Sequence, residues 1–164
     1  MDSPLVSNFR RIMDVIPTEP CTHSPKRYMA LGPVTPFELM LVDSWWNGVA
    51  VRSSLEECLL RTTTVEIVGT LGTDPHFVKA FSGNWIRPIL LADVFTQFQG
   101  AYSAIIIAGT GMDRTLWEDK HIFDTLPKVY ILREDGHNEQ VEKKATDMGY
   151  IVTRDSEWMM LVHR

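Results

Sequence analysis

Apolar positions recur along this chain with two different periods, and the order of those periods predicts its architecture. Phe9, Ile12, Met13 and Ile16 fall at spacings of three and four, which predicts a short amphipathic helix within residues 1–16, capped by Ser7 or Asn8. A proline-rich stretch follows, with Pro17, Pro20, Pro25, Pro33 and Pro36 inside residues 17–36. Proline removes a backbone donor and fixes φ, so the stretch reads as an extended arm rather than helix or central strand. Next comes the near-continuous apolar run Phe37–Val42, ending in Asp43, which predicts a strand buried on both faces.

From there strands and helices alternate. Ser53 with Glu56 forms a capping-box pattern for a helix running to Arg61. Thr63–Leu71 is rich in β-branched residues and predicts a strand. Asp74-Pro75 opens a short helix through Phe81, and Pro88 opens another to Gln99 that Gly100 ends. Ser103–Ala108 is the most apolar strand of the chain, and Gly109-Thr110-Gly111 turns it into a helix over Arg114–Phe123. Lys128–Arg133 predicts a strand, Asn138–Met148 a helix ended by Gly149, Tyr150–Thr153 a short strand, and Trp158–His163 a strand at an edge.

This alternation predicts an α/β fold: a three-layer Rossmann-like domain with a mainly parallel central sheet, preceded by the N-terminal helix and the proline-rich arm. Residues 1–36 form the helix and arm, and residues 37–164 the α/β domain. Ligands of such sheets bind outside the carboxyl ends of the strands. Asp43, the Gly109–Asp113 loop and the Glu134–His137 loop are expected at that edge.

Composition narrows the function. The chain has 164 residues, enough to bury one core without staples. Its formal net charge of −5 argues against broad binding of a phosphate backbone. Cys21 and Cys58 show no metal-ligand spacing and suit a reducing compartment. No run approaches the ~18 apolar residues of a membrane helix, and the N-terminus lacks a secretory pattern. Arg10 and Arg11 leave an organelle-targeting reading open, so the expected setting is intracellular, cytoplasmic or organellar.

Three acids stand out. Asp43 follows a predicted buried strand, where a carboxylate either holds a divalent cation or caps a turn. Asp93 interrupts an apolar helical stretch and is either partnered or on the exposed stripe. Asp113 ends a glycine-rich turn that offers backbone amides to an anion or makes a tight strand-to-helix turn. That turn is no dinucleotide fingerprint, since Arg114 stands where the third glycine would be, and no P-loop lysine follows. The five histidines lack ligand spacing, and no nucleophile elbow is present. Trp45 and Trp46 can stack on a base or anchor a partner.

The order of these pieces resembles the NYN branch of the PIN-like nuclease superfamily. Asp43 and Asn47 match its first strand, Asp93 its acidic helix, and Ala101–Asp113 its strand and acidic turn. The resemblance spans roughly residues 37–155. Thr110 and Met112 stand where that family carries acids in the turn, with Asp113 one residue displaced. The resemblance implies a metal site built from Asp43, Asp93 and Asp113 for Mg²⁺ or Mn²⁺, with Trp45, Trp46, Asn47, Gly109, Thr110 and Gly111 contacting substrate. With acids missing from the turn, it implies a degenerate domain that serves as a binding or assembly subunit in RNA processing. A protein partner would engage the proline-rich arm or an exposed tryptophan. The alternatives are an active metal-dependent ribonuclease on single-stranded RNA, and a Rossmann-like enzyme binding a nucleotide or small molecule through Gly109–Gly111.

Overall fold

The computed structural model describes residues 4–15, 26–72, 78–79, 85–86, 89–108, 126–134 and 138–163. Helix α1 (Pro4–Asp14) leads to strand β1 (Arg27–Leu31), helix α2 (Pro36–Asp43), strand β2 (Asn47–Arg52) and strand β3 (Thr64–Val68). Two-residue strands β4 (Leu71–Gly72), β5 (Val78–Lys79), β6 (Trp85–Ile86) and β7 (Ile89–Leu90) precede helix α3 (Leu91–Gln97). Strands β8 (Ala104–Ile107) and β9 (Val129–Arg133), helix α4 (Glu139–Asp147) and strands β10 (Tyr150–Arg154) and β11 (Trp158–His163) complete the described elements.

The main sheet has seven strands in the order β10-β11-β9-β8-β1-β2-β3. Strands β9, β8, β1, β2 and β3 run parallel, and β11 lies antiparallel between β9 and β10. This is the expected Rossmann-like α/β architecture with a mostly parallel central sheet. The two-residue alternation of a pleated strand sorts its side chains. Tyr28, Ala30, Ala50, Ala104, Ile106, Val129 and Ile131 face the layer holding α1 and α2. Met29, Leu31, Val49, Val51, Ile105, Ile107, Tyr130 and Leu132 face the layer holding α3 and α4. The chain belongs to the class in which helices cover both faces of the sheet.

Several sequence expectations change. Phe37–Val42 is helix α2, not a strand. Of its eight residues only Pro36, Leu39 and Asp43 are exposed, so the helical period is nearly invisible. Thr35 caps it by accepting from the Glu38 amide at 3.1 Å, and Pro36 occupies the first turn. The proline-rich stretch is not an arm throughout, because β1 lies between Pro25 and Pro33 and pairs with both β2 and β8. Helix α1 starts at Pro4, so Ser7 and Asn8 lie inside it rather than capping it.

The helix expected from Ser53 to Arg61 shrinks to one short turn at Leu55–Glu57. The Glu66 carboxylate accepts the amides of Leu59 and Leu60, both at 2.7 Å, and so holds them outside any helix. Val78–Lys79, expected as helix, pairs with Trp85–Ile86 as strand. Trp158–His163 is an interior strand, and β10 is the edge. The helix expected over Arg114–Phe123 lies outside the described residues.

Candidate functional site at the carboxyl edge of the sheet

The connections leaving β1 and β8 diverge. From β1 the chain passes through α2 to β2 on one side, and β8 is followed by β9 on the other. Where strand order reverses in this way, an open sheet forms a crevice outside the carboxyl ends of its strands. Among the described residues this edge carries the turn after β1, the end of β2, Ala108 after β8, the end of β9 and the start of β11.

Gly32 makes the turn after β1. Its φ of +113° is open to glycine and hard for other residues. Its amide donates to the Val51 carbonyl at 2.9 Å, and the chain then enters α2. The turn is fixed from below by a buried charge network. Arg52, the last residue of β2, donates from Nη1 to the Gly32 carbonyl (2.9 Å) and to Glu38 Oε1 (2.8 Å), and from Nη2 to Glu38 Oε2 (2.6 Å). Its Nε donates to Glu66 Oε2 at 3.0 Å. The side chains of Arg52 and Glu38 are both fully buried.

Tyr28 joins the same network. Its hydroxyl lies 2.6 Å from Glu38 Oε2 and 2.9 Å from Thr64 Oγ1. Tyr28, Gly48 and Thr64 are in register across β1, β2 and β3, so the Tyr28 ring crosses β2 at a residue without a side chain. A Cβ on Gly48 would stand 2.2 Å from Tyr28 Cζ. Burial pushes the Tyr28 hydroxyl far up from its ordinary pKa, and the Glu38 charge adds to the rise. Burial alone would lower the Arg52 pKa, but the hydrogen bonds and charges of Glu38 and Glu66 outweigh it, and the net shift is upward. For Glu66, burial raises the pKa, while the amides of Leu59 and Leu60 and the Arg52 guanidinium bring it below the ordinary carboxylate value.

At the other flank stands Arg133, the last residue of β9. Its Nε donates to the Ala108 carbonyl at 3.2 Å, and its guanidinium lies 4.5 Å from the centre of the Trp158 ring. Trp158 is buried and packs edge-on against Phe37, which packs edge-on against Phe9, with both centroid distances 5.3 Å. The Arg133 carbonyl accepts from Asn138 Nδ2 at 3.0 Å, and the next amide, that of Glu134, donates to the Glu157 carbonyl at 2.7 Å.

Of the acids singled out in the sequence, the two among the described residues, Asp43 and Asp93, are not brought together. Asp43 ends α2, so it lies at the amino edge of the sheet, where β2 begins, and it is exposed. Asp93 sits in the first turn of α3, in the opposite layer, and is also exposed. Asp113, Gly109, Thr110 and Gly111 lie outside the described residues. Among the described residues, no three His, Cys, Asp or Glu side chains form a group suited to a metal ion. Asn47 opens β2 at the amino edge. Trp46 is buried, while Trp45 is 79% exposed with φ at +62°. Both belong to the turn that ends α2: the Trp45 amide donates to the Val42 carbonyl and the Trp46 amide to the Leu41 carbonyl, each at 3.0 Å. Trp46 therefore serves as the apolar anchor of a helix end and has no free face for a base.

Sequence reasoning passed over Glu38, Arg52, Gly32 and Arg133. Thr35-Pro36-Phe37-Glu38 is a capping pattern with proline at the first helical position, and that signal was legible. Nothing local marked Arg52 or Arg133 as special.

No protein-family profile matches this chain, and no curated protein sequence does. Among solved structures, it is similar to the MycE methyltransferase from the mycinamycin biosynthetic pathway in complex with Mg and SAH. The TM-score is 0.54 at 11% identity, over 99% of this chain and 50% of that one. The likeness is one of fold. This chain therefore spans about half the length of that structure's chain. Looser likenesses join it to the release-factor-specific protein-(glutamine-N5) methyltransferase from Alicyclobacillus acidocaldarius (TM-score 0.46, 11% identity, 98% of this chain and 90% of that one). Another is the fibrillarin/Nop5p complex (TM-score 0.47, 12% identity, 94% and 79%). The likeness to the MycE fold corrects the NYN/PIN-like resemblance, and with it the nuclease and RNA-processing roles that resemblance implied. The expectation of Mg²⁺ or Mn²⁺ at the three acids belonged to that nuclease role. No helix among the described residues is long and apolar enough to cross a membrane.

Proposed function

We propose that this chain is a Rossmann-like small-molecule-binding enzyme whose ligand lies in the crevice at the carboxyl ends of β1 and β8, with an S-adenosyl compound as the leading candidate. The strand order carries this reading. Reversal between β1 and β8 creates the crevice, and ligands of open α/β sheets occupy such crevices. The choice of ligand draws support from the MycE structure, which is a complex with SAH.

The turn side of the crevice suits a nucleoside-bearing ligand. Gly32 lets the backbone bend sharply and approach closely, and α2 begins directly beyond it. The β2 side fits less well. Dinucleotide-binding sheets place an acid there for the ribose hydroxyls, or an arginine for a ribose phosphate. Arg52 occupies the end of β2, but it is fully buried and its donors are taken by Glu38, Glu66 and Gly32. Ribose recognition at that residue is therefore not part of the reading, and no transfer step follows from the residues described.

The test is a thermal-shift and calorimetric titration of the full chain with S-adenosylhomocysteine, and with adenosine as the fragment control. Saturable binding should raise the melting temperature as ligand excess grows. Gly32→Val should abolish the shift, since a β-branched residue opposes the positive φ. No stabilisation of the wild-type chain at millimolar S-adenosylhomocysteine would rule out that ligand.

A further inference from the structure

We propose that Arg133 is the oxyanion-binding residue of this crevice, receiving a carboxylate or phosphate group of the ligand on its two terminal nitrogens. The proposal deepens the reading above, since it rests on the crevice being a ligand site.

Four observations fix the guanidinium. Its Nε is held by the Ala108 carbonyl and its plane by the Trp158 ring. The backbone of its strand end is pinned by Asn138 through the Arg133 carbonyl and by Glu157 through the Glu134 amide. Trp158 is itself immobilised on Phe37. The stack and the Nε bond leave the terminal fork pre-aligned, which is the costly part of bidentate anion recognition.

The donors remain to be matched. A guanidinium offers five N–H groups, of which the Ala108 bond uses one. Among the described residues neither Nη of Arg133 has a hydrogen-bond acceptor or a carboxylate partner. The side chain is partly buried, so water is an incomplete substitute for a partner. Arg52 ends β2 as Arg133 ends β9 and faces the same layer, yet two carboxylates and a carbonyl satisfy it. The two arginines flank β1 and β8, about 14 Å apart by strand spacing. One is used to build the crevice, and the other presents a charged fork at its rim. A planar fork of this kind fits the two oxygens of a carboxylate or phosphate.

The experiment follows the Arg133 Nε–Hε resonance of the full-length chain by NMR during titration with inorganic phosphate and, separately, with acetate at low salt. A saturable shift of that resonance with either anion is expected, and the tighter anion identifies the ligand group. Arg133→Gln should abolish the binding measured by calorimetry. Arg133→Lys should weaken it by about tenfold or more, because a point charge replaces the fork. No saturable shift with either anion, or equal affinity in Arg133→Gln, would overturn the proposal. If Arg133→Gln does not fold, the wild-type resonance alone decides. A parallel titration with S-adenosylhomocysteine separates the two readings. Anion binding at Arg133 without it leaves this proposal standing and removes the cofactor assignment. S-adenosylhomocysteine binding without any anion effect does the reverse.

Discussion

Arg52 and Arg133 close two strands of one sheet, face the same helical layer and flank the same crevice, but they live under different physics. Arg52 is fully buried and bound to Glu38, Glu66 and the Gly32 carbonyl. Desolvating that many charges is tolerable only because each guanidinium nitrogen meets an acceptor. Arg133 rests on an indole face and, among the described residues, has a single carbonyl acceptor. The difference teaches that position in the fold does not assign a role to an arginine; the supply of carboxylates around it does. Where α2 delivers Glu38 and β3 delivers Glu66, the charge becomes structure. Where the neighbour is Trp158, the charge meets no carboxylate among the described residues.

The largest effect that would break this comparison is on stability. Arg52→Leu strands Glu38 and Glu66 without their cation and should lose about 3–5 kcal/mol in denaturant unfolding. Arg133→Leu should stay within about 1 kcal/mol, because its stack is on a partly buried side chain and its one hydrogen bond among the described residues is replaceable. Equal losses in the two variants would collapse the contrast.

Gly48→Ala attacks the network at its other end. The new methyl collides with the Tyr28 ring, which cannot retreat without losing Glu38 and Thr64. A destabilisation of about 1–3 kcal/mol is expected from the same unfolding measurement. A neutral result would mean that the Tyr28 bonds contribute nothing.

Acid sharpens the comparison further. The folded-state pKa of Glu66 is depressed, so the folded protein holds fewer protons there than the unfolded chain. Its contribution is complete above the ordinary carboxylate range and fades as pH falls through the lowered value. Stability measured against pH should therefore drop below about pH 4, and Arg52→Leu should show less of that drop. A variant with the wild-type acid slope would show that Arg52 does not hold Glu66 ionised.

The smallest expected effect lies away from both arginines. Trp45→Gly relieves a positive φ at a side chain that is mostly in water, and should stabilise the fold by about 1 kcal/mol. A loss of stability would mean that the indole makes contacts that matter.

Much of the sheet was legible from pattern alone. Ser103–Ala108 contains β8 and lies in the middle of the sheet, with Ala104 through Ala108 all buried, as its unbroken apolar run implied. Lys128–Arg133, Asn138–Met148 and Tyr150–Thr153 match β9, α4 and β10 within a residue or two. Phe37–Val42 failed for a definable reason: a short helix buried on nearly every side presents the same continuous apolar run as a buried strand. The capping pattern at Thr35–Glu38 could have separated them, but Glu38 was absorbed into the apolar run read as a strand. β1 failed because flanking prolines coloured the reading of the seven proline-free residues 26–32 between them.

The candidate site was less legible than the fold. Asp43 and Asp93 share an acidic character that sequence can see, but their layers and edges are set by which way each helix runs across the sheet. Glu38, Arg52 and Glu66 are 14 residues apart from one another in succession, and no local rule relates them. They meet because parallel pairing sets β2 against β3 while α2 crosses above, a consequence of register rather than of neighbourhood.

What the sequence determined by itself was which stretches would be buried and with what period, because side-chain hydrophobicity and backbone geometry act locally. The tertiary structure decided which strand lies beside which, which edge carries the crevice, and which of two arginines meets carboxylates. Those outcomes depend on contacts between distant segments, and a charge becomes buried structure or exposed chemistry only when those contacts are made.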